Sequence, residues 1–373
     1  MHIQSTVGSP LRRVFAHRIN WHTVRTTNFN DVKNSFRKII TIAIILLGIS
    51  FSASAQQEAQ FTQYMFNRLS YNPAYAGSSG SICAMLLYRN QWLGLKLDKP
   101  VASDQYRAGS TPSDYLFSFD MPVKFLHGGI GLTVYAETIG YNRAISASLD
   151  YAFRMYWGPG NLAAAVEVNF FNSTLDYSQL VGSDDFTGNI LEPVRSAGDP
   201  LLNQTDKQTD FLFDVSTGLY YQVPGTFYVG LSAKNLLASK SETLNYQNSR
   251  VFYLHGGYDF VFPSNPSFKL KPSALIKTAN FSVFQADITC LLDYQSTVWG
   301  GINYRIFDAV SILAGVQWKK LQVGLAYDIT TQRLGTYKAG RSAGSIEIYL
   351  KYCFKVIIPQ KKPSSYRNTR YLL

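Results

Sequence analysis

After the first 55 residues the chain holds only two histidines, His127 and His255, so acid–base chemistry has few places to start. His255 and Asp259 fall on one face of a two-residue repeat and could be drawn as a base with its orienting carboxylate. No nucleophile stands at a matching spacing, and two residues in line on one strand are expected to be structural. H-E-x-x-H, G-x-S-x-G, a Walker loop and a dinucleotide fingerprint are all absent. Gly128-Gly129-Ile130-Gly131 is glycine-rich, but it opens a strand with no helix behind it, so it is not expected to cradle phosphate. Cys83, Cys290 and Cys353 are widely spaced, odd in number and free of any C-x-x-C pair. That excludes a zinc or redox motif and argues against a disulfide framework, leaving small buried apolar residues as the expectation. Segment 173–210 gathers Asp176, Asp184, Asp185, Glu192, Asp199, Asp206 and Asp210, carboxylates that could bind calcium. Their spacing fits no calcium loop, and a hydrated outer loop is expected instead. The chemistry therefore points to no enzyme, no cofactor and no metal.

The elements around these residues point elsewhere. Charged residues make up 16% of the chain against 46% hydrophobic and 14% aromatic, yet the longest apolar run is short. Ile39 to Phe51 is 13 residues long, too few for the ~20 of a spanning helix. Arg37 and Lys38 precede it and Ala53-Ser54-Ala55 follows, the order of a signal peptide cleaved after Ala55. Residues 1–55 carry seven Lys/Arg and one Asp, so about +5 of the total +11 remains on the mature chain. That balance makes no case for nucleic-acid binding. The basic stretch 356–373, with Lys361, Lys362, Arg367 and Arg370, is expected to be a solvated tail.

Between these ends, apolar and polar residues alternate over stretches of about ten, the period of a strand. In the clearest stretch Ile145, Ala147, Leu149, Tyr151, Phe153 and Met155 share one face, opposite Ser146, Ser148, Asp150, Ala152 and Arg154. Fourteen such runs lie between residues 81 and 355, most long enough to cross a bilayer when tilted. Short links such as Gly158-Pro159-Gly160 and Pro224-Gly225 follow even-numbered runs. Long links, 93–113, 173–210 and 236–250, follow odd-numbered ones, as in an outer-membrane barrel, although three odd-numbered links are short too. Charges on the polar faces, among them Arg89, Asp150, Glu167, Asp287, Arg305, Asp328 and Glu347, must face a lumen, because each Lys or Arg facing lipid would cost ~2–4 kcal/mol. Trp92, Trp157, Trp299 and Trp318 fall near run ends, where an interfacial girdle belongs. A soluble sandwich or propeller would leave much aromatic surface to cover, and no blade-length repeat is visible. The prediction is an all-β, transmembrane, antiparallel up-and-down barrel of about 14 strands. Its expected parts are a leader (1–55), an N-terminal periplasmic or plug segment (56–80), the barrel (81–355) and the basic tail (356–373).

One segment breaks the alternation. It reads Gln60-Phe61-Thr62-Gln63-Tyr64-Met65-Phe66-Asn67, then Tyr71-Asn72-Pro73-Ala74-Tyr75-Ala76-Gly77. Aromatics, amides and an Asn-Pro turn suit a plug in the barrel, a docking surface for a periplasmic partner, or simple packing under the first strands. This segment resembles the opening of the PorP/SprF family, outer-membrane proteins associated with type IX secretion in Bacteroidota. Arg89-Asn90-Gln91-Trp92-Leu93-Gly94 looks like that family's next block. Later echoes are Pro272 to Lys277, Trp299-Gly300-Gly301 with Tyr304-Arg305, and Gly324 to Asp328. The last run departs from the family's Ser-His-Glu-Ile, with Gly344-Ser345-Ile346-Glu347-Ile348 lacking the histidine. Loop 93–113 lacks the family's Gly-Ala-Pro-rich wording, and a 19-residue tail follows Phe354. The resemblance implies a non-catalytic barrel that assists secretion or surface attachment of a cognate exported protein such as an adhesin. Its implied partners are that surface protein, periplasmic and outer-membrane type IX components, and outer-membrane lipid. The implied docking residues are Gln60, Phe61, Gln63, Tyr64, Met65, Asn67, Asn72, Pro73, Ala74, Tyr75 and Gly77, with Arg89, Gln91, Trp92 and Gly94. A passive or substrate-selective porin is the alternative reading of the same barrel.

Overall fold

The computed structural model describes residues 60–93, 110–176, 207–241, 243–244, 246–331 and 344–355. The leader, the tail, most of the acidic segment 173–210 and Gly94 lie outside them. Fourteen long strands form the wall: β1 (Ser81–Asn90), β2 (Ser110–Val123), β3 (Gly128–Gly140), β4 (Asn142–Trp157), β5 (Gly160–Asp176), β6 (Lys207–Val223) and β7 (Phe227–Lys234). The second half comprises β8 (Val251–Tyr258), β9 (Phe268–Ala279), β10 (Val283–Tyr294), β11 (Val298–Arg305), β12 (Ala309–Trp318), β13 (Leu321–Thr330) and β14 (Ser345–Lys355). Each pairs antiparallel with its neighbour in sequence, and β14 pairs with β1 from Ser81↔Lys355 to Asn90↔Ile346. The sheet thereby closes on itself and leaves no edge along this seam. Phe260–Val261 adds a short extension beside β9, and Lys240–Ser241 pairs with Tyr246–Gln247 in the link after β7.

Burial follows the two-residue period. On β4, Ala144, Ser148, Asp150 and Ala152 are buried while Ile145, Leu149, Phe153 and Met155 are exposed. The exposed apolar face is the lipid face of an outer-membrane barrel. Inverted relative to a soluble protein, the buried face carries charge: Arg89, Asp150, Glu167, Asp214, Asp287, Arg305, Asp328 and Glu347 are each at most 3% exposed. Trp157 and Trp318 stand exposed at the short-link end, as a girdle requires, and Trp92 is half-buried. Trp299 corrects the expectation. It is buried and points into the lumen, stacking on Tyr349 at 6.4 Å.

The two ends of the barrel differ. Links 124–127, 158–159, 224–226, 295–297 and 319–320 are short, with Gly158 (φ 56°) and Gly225 (φ 73°) supplying the left-handed turns. At the other end the strands lead into links of 14 to 30 residues at 91–109, 177–206, 235–250 and 331–344, while 141, 280–282 and 306–308 are short there too. Short turns mark the periplasmic side and long loops the outside. The wall is uneven: β4, β5 and β6 have 16 or 17 residues, whereas β7, β8 and β11 have eight.

Cys83 and Cys353, in register across the β1–β14 seam, form a disulfide, contrary to the expectation of three unpaired thiols. Their separation of 270 residues hides the pairing in sequence, because only barrel closure makes the first and last strands neighbours. The third thiol, Cys290, is exposed on the lipid face.

Candidate functional site

The lumen holds residues 60–78 of the same chain. Gln60 contacts Gln285 near the outer end of β10, and Gly77 and Ser78 meet Asp120, Arg154 and Gln222 near the periplasmic ends of β2, β4 and β6. The segment thus descends through the barrel from the outer side and turns into β1 at the bottom.

Its upper end is fixed by charge. Asp287, Arg305, Asp328, Glu347 and Arg89 come from β10, β11, β13, β14 and β1, two cations among three carboxylates. Arg305 Nε is 2.8 Å from Asp287, Arg89 is 2.7 Å from Asp328 and 3.1 Å from Glu347. Ionised groups withdrawn from water are tolerable only when paired and hydrogen-bonded. Here the plug completes the set. The Thr62 hydroxyl donates to Asp328 at 2.8 Å and accepts from Arg89 at 3.1 Å and Arg305 at 3.3 Å. Glu347 accepts the successive backbone N–H groups of Thr62 and Gln63 at 2.7 and 2.8 Å. These are charge-assisted bonds in a site closed to water, the strong class.

Below this layer the contacts are aromatic. Phe66 lies 4.6 Å from the Trp299 ring and 5.1 Å from Tyr349. Tyr71 and Tyr75 meet Tyr253 and Tyr220 edge to face, and the Arg68 guanidinium sits 3.7 Å over the Tyr228 ring. Aromatic pairs contribute ~0.5–1.5 kcal/mol each beyond the area they bury. Tyr64 shares a hydrogen bond with Ser273, and Lys351 donates to the Phe66 carbonyl at 3.2 Å.

The Asn-Pro turn forms the lower anchor. Asn72 caps a short 3-10 helix, Pro73–Tyr75, by accepting the Ala74 N–H, and donates to the Leu219 carbonyl at 2.9 Å. His255 lies 3.3 Å from the same amide and stacks against Tyr220, so it serves packing here, with Asn72 as its polar neighbour. Gly129 admits the turn, since a Cβ there would lie 2.2 Å from the Ala76 carbonyl oxygen. Arg154 closes the bottom by donating to the Gly77 and Ala76 carbonyls at 2.6 and 2.7 Å.

Of the residues singled out in sequence, Phe61, Gln63, Tyr64, Met65, Asn67, Asn72, Pro73, Ala74, Tyr75 and Gly77 are buried and Gln60 is half-buried. Their side chains face the barrel wall, and none of the segment's aromatics is displayed as an open surface. Arg89 is brought to Thr62, while Gln91 and Trp92 lie at the outer rim, with Trp92 N–H donating to Ser345 Oγ at 3.2 Å. Glu347, Asp328 and Arg305, which grip the plug, and Asp287, which holds Arg305, were legible only as lumen charges. Each lies toward the outer end of its strand, Asp287 on β10, Arg305 on β11, Asp328 on β13 and Glu347 on β14.

Among the described residues no group of three or more His, Cys, Asp or Glu could hold a metal ion. A cavity of about 350 Å³ remains beside the plug, lined by Phe61, Ser70 and Tyr71 of the plug and by residues of β3, β4 and β5.

A family model described as type IX secretion system membrane protein PorP/SprF matches residues 53–352. No curated protein matches the sequence. Similar solved structures include the outer membrane protein Omp33 of Acinetobacter baumannii, at 7% identity and TM-score 0.39, covering 74% of this chain and 99% of that one. The TodX deltaS2S3 mutant monoaromatic hydrocarbon channel is 10% identical with TM-score 0.45, covering 82% and 97%. A Pseudomonas aeruginosa FadL homologue is 13% identical with TM-score 0.40, covering 81% and 96%.

Proposed function

Because the chain belongs to the type IX secretion system membrane protein family PorP/SprF, we propose that this outer-membrane barrel assists secretion or surface attachment of one cognate exported protein. The observation that carries this reading over a porin is the occupied lumen: Thr62 and Gln63 complete a buried ionic layer on five strands. A porin needs a water-filled lumen, and here charges that could line a filter are spent holding the plug. The outer links and the rim block Gln91, Trp92 and Gly94 would hold the exported protein. The plug would brace that rim through Arg89, which lies one residue from Asn90 at the end of β1. No step in this role breaks a covalent bond, and the barrel acts without catalysis.

The test is deletion of the gene, followed by a census of surface proteins and affinity capture of the tagged barrel from outer membranes. Loss of one exported protein, and its recovery with type IX components on the tagged barrel, supports the proposal. An unchanged surface together with solute flux through the purified protein overturns it in favour of a porin.

A further inference from the structure

The cavity beside the plug has a lining unlike the ionic layer next to it. Thr133, Ser148 and Asn169 are register partners on β3, β4 and β5, and form a polar row across three strands. Two residues further toward the outside, Tyr135, Ser146 and Phe171 form a second row, a hydroxyl between two rings. Thr133 Oγ1 and Asn169 Oδ1 are buried with no hydrogen-bond partner among the described residues. The rings are held in place: Phe171 stacks on Tyr246 at 5.9 Å and 17°, and Tyr135 meets Phe61 edge to face at 6.2 Å.

Three features narrow the occupant. Charge is nearly absent: of the lining residues only Glu137 and Lys234 are charged, with opposite signs, and Lys234 lies 3.4 Å from Glu167. An ionic ligand finds no excess counter-charge. The walls β3, β4 and β5 are paired on both sides, so their backbone groups are consumed and an extended peptide has no strand edge to join. What remains is hydroxyl and carboxamide side chains, which both donate and accept, set beside fixed ring faces. That combination suits a ligand whose hydroxyls both donate and accept and whose C–H faces are apolar. A volume of about 350 Å³ is within the range of small-ligand sites. We propose that this cavity beside the plug is a binding site for a neutral saccharide. The inference is independent of the secretion reading, since neither cargo nor secretion machinery enters it.

The experiment is saturation-transfer NMR on the whole purified protein in an amine-oxide detergent, because maltoside detergents carry the same chemistry as the ligand. The probes are maltose, cellobiose, lactose and N,N′-diacetylchitobiose, with the neutral peptide Gly-Ser-Asn-Gly as comparison. The expected result is saturable binding of at least one sugar. Phe171→Ala should weaken it about tenfold by loss of a stacked ring. Ser148→Leu should abolish it, whereas Tyr304→Ala, on the lipid face, should leave it unchanged. Heat-dependent gel mobility shows that each variant is folded, and the two cavity variants fail independently of one another. Absence of saturation by every sugar to about 10 mM, or binding unaltered in both cavity variants, overturns the proposal. Saturation by the peptide with none by the sugars overturns it as well and assigns the cavity to a polypeptide.

Discussion

The guanidinium of Arg89 lies 2.7 Å from the carboxylate of Asp328, with both side chains 2% exposed and the strand β14 between them. The contact therefore spans the seam where the barrel closes, and Thr62 of the plug is bonded to both partners.

Replacing Arg89 by leucine removes the cation shared by Asp328 and Glu347. Stranding one side of a buried pair costs about 3–5 kcal/mol. Arg89→Leu should lower the urea midpoint of the folded form accordingly and expose the Gln60–Gly77 segment to protease. A midpoint equal to wild type would show that the layer holds nothing together.

The plug should govern conductance. Wild-type protein in planar bilayers is expected to pass little current, and replacing residues 60–77 by a Gly-Ser linker should open the lumen and raise it severalfold. Equal currents from the two proteins would mean that the segment does not close the pore.

The disulfide predicts a thiol count. Unfolding without reductant and labelling with maleimide should give one adduct, at Cys290, and unfolding with reductant three. Cys83→Ser should destabilise by up to about 5 kcal/mol, the chain-entropy value for a very long loop. Three adducts without reductant would refute the bond.

Gly129 and Gly300 should respond differently to the same change. A Cβ at Gly129 meets the Ala76 carbonyl oxygen at 2.2 Å, whereas at Gly300 the nearest atom, the Leu313 carbonyl oxygen, is 3.6 Å away. Gly129→Ala should cost about 1–3 kcal/mol by forcing the turn off its seat, and Gly300→Ala much less. Comparison of thermal midpoints by gel mobility decides it, and equal losses would sever the link between Gly129 and the plug.

The wall was readable because a barrel strand writes its environment residue by residue. Ile145, Leu149, Phe153 and Met155 face lipid and Ser148, Asp150 and Ala152 face the interior, so β4 is spelled out by one alternation. The plug carries no such period. Gln60 to Gly77 could be marked as unusual from aromatics and the Asn-Pro turn, but its partners sit on strands distant in sequence. Thr62 is the sharpest omission. A lone threonine gives no hint that four charged side chains converge near it, since that convergence exists only once β1, β11, β13 and β14 stand around one axis. The Cys83–Cys353 bond and the inward Trp299 were hidden for the same reason. The alternation marks the first and last strands of the circle but carries no record of their register or of what lies inside it.

The downward course of the plug has a practical bearing on genetics. Its first described residue touches the outer half of the wall while its last leads into β1 at the periplasmic end, so barrel and plug are a single piece of construction. Under the proposed role, a cell defective in biogenesis and a cell defective in recognition would then look alike in a screen for missing surface protein. Substitutions at Tyr64 or Asn72 acquire a clear meaning only when the amount of assembled barrel is scored in the same cells.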